Sequence, residues 1–131
     1  MIQTMTKPPM WDSLSSILKM EFERKPMLDD ISLVIPTLGR PILEQCLYWI
    51  LMGSTWPACL IVVEQGLNPD VAAWLERVQR IGIPVEHIRS TQRGRSAGIN
   101  RGLEQTYTRF AAITDDDCFV EEGWLSNMAA K

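Results

Sequence analysis

The chain has 131 residues, 46% of them hydrophobic and 22% charged, which fits one soluble globular domain or part of one. Its net charge of -3 leaves no basic face for nucleic acid, and no apolar run reaches the length of a membrane span. Residues 1–9 lack the apolar centre of a secretory signal, and Cys46, Cys59 and Cys118 have no zinc or disulfide spacing, so the expected setting is the cytoplasm with reduced, mostly buried thiols.

Residues 1–30 read as an amino-terminal extension. Pro8-Pro9 blocks regular structure at its start. Trp11, Leu14, Ile17, Leu18 and Phe22 then recur every three or four residues, which predicts an amphipathic helix capped by Asp12 or Ser13 and ended by Pro26. Its polar face is not strongly basic, so the first reading is a helix that covers the main domain. A role in peripheral membrane association or partner binding stays open.

From residue 31 the pattern alternates. Residues 31–35 form a branched apolar strand that Pro36 should stop. Pro41 suits a first helical turn, and a wide apolar stripe runs on to Met52. Residues 58–63 are apolar on both faces, as in a covered parallel sheet. Asn68-Pro69 starts a helix over 70–80, which Gly82 ends. Residues 85–89 are a short, more polar strand, expected at a sheet edge, where the single histidine, His87, reads as structural. A glycine-broken basic loop with Arg93 and Arg95 leads into a helix over 96–107. Residues 109–114 read as a buried fourth strand, and a last helix starts near Gly123.

That order means an α/β domain with a mostly parallel sheet and right-handed crossovers. Ligands bind such sheets beyond the carboxyl ends of the strands, where strand order reverses. The chemistry-bearing residues all follow strands: Pro36, Thr37 and Arg40 after the first, Glu64 after the second, Arg93 and Arg95 after the third, and Asp115-Asp116-Asp117 after the fourth. Adjacent like charges gain nothing for folding. Carboxylate oxygens suit a hard divalent cation such as Mg²⁺ or Mn²⁺ shared with substrate phosphates. The plainer reading of the triplet is a solvated turn that caps the next helix.

Taken together, these motifs resemble the family 2 glycosyltransferases, which have the Rossmann-like GT-A fold. The resemblance rests on Ile35-Pro36-Thr37 with Arg40, on Glu64 and Gly66, on Gly94 through Asn100-Arg101-Gly102, and on the acidic triplet followed by Gly123-Trp124-Leu125. It covers residues 31–131, the nucleotide-sugar-binding part of such a domain. It implies a nucleotide-diphosphate sugar as donor, and transfer that inverts the anomeric carbon. Asp117 would bind the metal directly, and Asp115 the ribose or the metal's waters. Pro36, Thr37, Arg40 and Asp116 would belong to the nucleotide-sugar site. Glu64 would contact the base, and Arg95 or Arg93 the diphosphate.

The chain departs from the family pattern in three places. Glu64-Gln65 replaces a common pair of aspartates, Ile99 stands where an arginine often precedes the helix asparagine, and the chain ends close behind the triplet. The acceptor half and the catalytic base would lie further on. The expectation is therefore a truncated donor-binding part. It would bind a nucleoside diphosphate weakly with metal and transfer no sugar alone. Phe110, Ile113, Phe119 and Trp124 would lie near open surface, which invites a homo-oligomer. The alternatives are a non-catalytic nucleotide-binding remnant, a nucleotidyltransferase with too few glycines after its first strand, and a receiver-type acidic pocket.

Overall fold

The computed structural model describes residues 17–129. Among the described residues eight elements alternate: β1 (Met27–Thr37), α1 (Ile42–Leu51), β2 (Trp56–Glu64), α2 (Pro69–Ile81), β3 (Val85–Arg89), α3 (Arg95–Glu104), β4 (Phe110–Ile113) and α4 (Trp124–Ala129). The strands form one sheet in the order β3-β2-β1-β4, with every neighbouring pair parallel. This is the expected α/β class. The chain steps outward from β1 to β3 and then returns to the far side of β1. The order reverses between β1 and β4, so the loops that follow those two strands face each other across the switch point.

The alternating side chains of the central strands build two cores. Leu33, Ile35, Leu60 and Val62 meet the stripes of α1 and α2 in the larger one. Val34, Ile61 and Val63 face the other way, toward α3. There Gly102 has no room to spare: a Cβ on it would sit 2.5 Å from Val34 Cγ1. That close approach sets α3 directly on the sheet and fixes its first residue, Arg95, over the strand ends.

The structure corrects the expected elements in several places. The expected helix over 12–25 lies in part outside the described residues. Residues 17–19 make a turn and 20–26 run without helix. Tertiary contacts replace the helical bonds there. Ile17 N–H donates to Glu44 Oε2 at 3.2 Å, and Arg77 donates to the carbonyls of Ile17 and Met20 at 3.3 and 2.7 Å. Of the periodic apolar residues that are described, Ile17 is fully buried and Phe22 packs against the main core, whereas Leu18 is exposed. Ile17→Ala should cost about 2–4 kcal/mol, the range for truncating a buried aliphatic side chain. Chemical denaturation would measure it, with Leu18→Ala, on an exposed neighbour, as the control.

β1 also runs through Pro36 instead of stopping there. The bonds Gln65 N–H to Thr37 O and Thr114 N–H to Val34 O show which way each residue faces. Pro36 has the parity of Val34, so its missing N–H points to the side of β4. The next rung of that pair, from residue 36 to Thr114 O, is therefore missing, and the pairing with β4 stops at Ile113. α3 spans Arg95–Glu104, shifted toward the amino end of the expected helix. β4 is an edge strand, not a buried one, and Phe110 and Ile113 are 51% and 36% exposed. Phe119 and Trp124, expected near open surface, are buried. Cys46 and Cys59 are buried as expected, whereas Cys118 is only half-buried. Among the described residues no helix is long and apolar enough to cross a membrane.

Candidate functional site

The site forms where β1 and β4 end side by side. Cys118 N–H donates to Asp115 O at 3.2 Å, closing a tight turn that splays the three carboxylates apart. Asp116 turns inward and is buried. Its two oxygens accept from Thr37 Oγ1 at 2.8 Å and Arg40 Nη2 at 2.6 Å. The Asp116 hydrogen bond and charge raise the Arg40 pKa above its usual value, so that guanidinium is a fixed cation.

Asp115 and Asp117 turn outward. Asp115 Oδ1 accepts from Arg95 Nε at 2.6 Å, and Asp117 lies 3.9 Å from Arg40 Nη2. One donor atom each from Asp115, Asp117 and Cys118 lies within 4.8 Å of the others. Two hard oxygens at that spacing fit a divalent cation that also takes phosphate oxygens. The two flanking guanidiniums do not cancel three carboxylates, so the corner still attracts positive charge.

These groups line one cleft of about 300 Å³, walled by Pro36, Thr37, Leu38, Arg40, Gln65, Gly94, Arg95 and the three aspartates. Most of the sequence-predicted residues therefore meet in one place. Glu64 and Arg93 do not line it. Glu64 is buried beside it, in a smaller hollow of about 200 Å³ shared with Gly66, Leu67, Asn68, Pro69 and Arg89. Arg93 borders a third hollow with Gln65, Gly66, Leu67, Ser90 and Thr91.

Three wall residues were not singled out as site residues from sequence: Leu38, Gln65 and Gly94. Gln65 is the informative one. It is buried, and its Nε2 donates to the carbonyls of Gln92 and Gly94 at 3.0 and 2.7 Å. It thus ties the basic loop to the end of β2. Its place directly after Glu64, where a second acid is common, was the available signal.

Comparisons with known proteins bear on the family and the fold. The model of glycosyl transferase family 2 matches residues 32–131. No curated protein matches the chain. Among solved structures, the fold is similar to a mannosyltransferase, PcManGT from Pyrobaculum calidifontis, determined in complex with GDP-Man and Mn²⁺. The TM-score is 0.58 at 20% identity, over 77% of this chain and 32% of the mannosyltransferase. The chain thus spans about a third of that protein's length, and the likeness is one of fold.

Proposed function

The chain belongs to glycosyl transferase family 2, and from that footing we propose that its cleft holds the donor of a sugar transfer, a nucleotide-diphosphate sugar, together with Mn²⁺ or Mg²⁺. The observation that carries the reading is the convergence of two outward carboxylates and two guanidiniums at the switch point of a parallel sheet. A diphosphate needs both signs: cations for its own charge, and carboxylates for the metal it brings.

Asp117 and Asp115 are the residues that would hold the metal, and Cys118 lies within reach of the same ion. When bound, the metal neutralises charge on the departing diphosphate. Arg95 and Arg40 add fixed positive charge on the same side, where it stabilises the leaving group without reorganisation. Pro36, Thr37 and Leu38 form the apolar and backbone wall against which a nucleoside lies. Asp116, held by Thr37 and Arg40, keeps that wall and the metal corner in register. The family's inverting transfer to an acceptor hydroxyl is the overall reaction we assign to the intact protein.

The match of the glycosyl transferase family 2 model over residues 32–131 supports this choice over a nucleotidyltransferase. Calorimetric titration with UDP, GDP, CDP and dTDP, each with and without Mn²⁺, tests it. Binding of at least one diphosphate that requires the metal is expected. No metal-dependent binding of any of the four would overturn the reading.

A further inference from the structure

The sequence treats His87 as a structural residue of an edge strand. In the fold it begins a continuous run of hydrogen bonds that ends at the acidic corner. His87 Nε2 lies 2.8 Å from Glu64 Oε1. A carboxylate only accepts, so the imidazole donates from Nε2. Glu64 Oε2 accepts the Asn68 N–H at 3.1 Å. Asn68 Nδ2 donates to Gly39 O at 2.6 Å, and Gly39 N–H donates to Thr37 Oγ1 at 2.9 Å. Thr37 Oγ1 then donates to Asp116 Oδ2. The run passes from β3 through the ends of β2 and β1 to the loop after β4.

We infer that His87 is a positioning residue for the donor site, holding Glu64 so that the loop carrying Arg40 stays in register with Asp116. The inference rests on the donor-site reading above. Glu64 is 2% exposed and His87 is its one side-chain hydrogen-bond donor among the described residues. Arg89 Nε, at 3.8 Å, is too far for a hydrogen bond. A buried carboxylate that loses a donor must find another or leave. Without His87, the carboxylate turns toward Arg89 and solvent. The Asn68 amide and the loop after β1 lose their anchor.

The test pairs His87→Leu with His87→Gln, which keeps a donor near the position of Nε2. Amide hydrogen exchange without any ligand reads the coupling by itself. His87→Leu should speed exchange at Gly39 and Asn68 about 10-fold relative to Leu33 in the centre of β1, and His87→Gln should restore it. Titration of GDP or UDP with Mn²⁺ should then show about 10-fold weaker binding in His87→Leu, the lower end of the range for outer-shell partners of a metal site, and near wild-type binding in His87→Gln. Unchanged exchange at Gly39 and Asn68 would overturn the proposal, as would a uniform speeding that includes Leu33. Failure of wild type to bind any diphosphate would strike the donor-site reading instead, while the exchange pattern still decides the coupling.

Discussion

Asp117→Ala should weaken binding of a Mn²⁺–nucleoside diphosphate complex by about 100-fold or more and leave the free protein as stable as wild type. The two halves of this result have separate causes. Removal of a direct metal ligand should exceed the 10–100-fold loss typical of outer-shell changes. The fold loses almost nothing. The Asp117 side chain is 58% exposed and its ion pair is a 3.9 Å approach to Arg40. Such pairs contribute little, and deleting one of three neighbouring carboxylates relieves repulsion. Titration calorimetry and thermal unfolding on the same sample check both halves. Asp116→Ala should lower stability as well as binding, because it strips the partners of Thr37 and Arg40 from a buried position. Equal metal-dependent affinity in wild type and Asp117→Ala would remove Asp117 from the metal role.

Gly66→Ala should cost stability on the order of 3 kcal/mol, the upper end of ordinary overpacking, and lower the unfolding temperature by roughly 10 °C. A Cβ at Gly66 would stand 2.0 Å from the carbonyl oxygen of Leu38 and 2.9 Å from its carbon. Both atoms are backbone, so no side chain can swing aside. The loop after β1 must move as a unit, and with it a wall of the cleft. Donor binding should therefore fall together with stability. Gly123→Ala is the matched control, because its Cβ would meet the flexible Asn127 side chain at 3.4 Å. Differential scanning calorimetry of the two variants gives the comparison. Similar unfolding temperatures for both would show that the Leu38 loop yields easily.

Local signals in the sequence were enough for the strands and most of the helices. The apolar runs of β1 and β2 and the Asn68-Pro69 start of α2 depend on neighbours in the chain. Asn68 Oδ1 does accept the Asp70 N–H at 3.0 Å. The second duty of Asn68, its bond to Gly39 O across 29 positions, depends on which loops the fold brings together. No local pattern encodes that. The same limit explains residues 17–26. Their spacing of apolar residues is helical, but the backbone there bonds to Glu44 and Arg77 from other elements. It explains β4 too, where an apolar run of four residues lies at the sheet edge. In the site, the aspartates and Arg40 were legible because each closely follows a strand. Glu64 follows a strand as well, and only the structure reveals that its oxygens already serve His87 and Asn68.

The three thiols differ in a way that has a practical use. Cys46 is fully buried, and burial, with the nearby carboxylates, raises its pKa well above the normal thiol range, so it is closed to alkylation in the native state. Cys59 is sealed beneath the sheet as well. Cys118 alone among them is partly open, and it sits at the acidic corner. The native protein thus offers one addressable sulfur, and a dye attached there would report on the corner by its emission. Ions and nucleotides could be screened by fluorescence with no substitution in the chain.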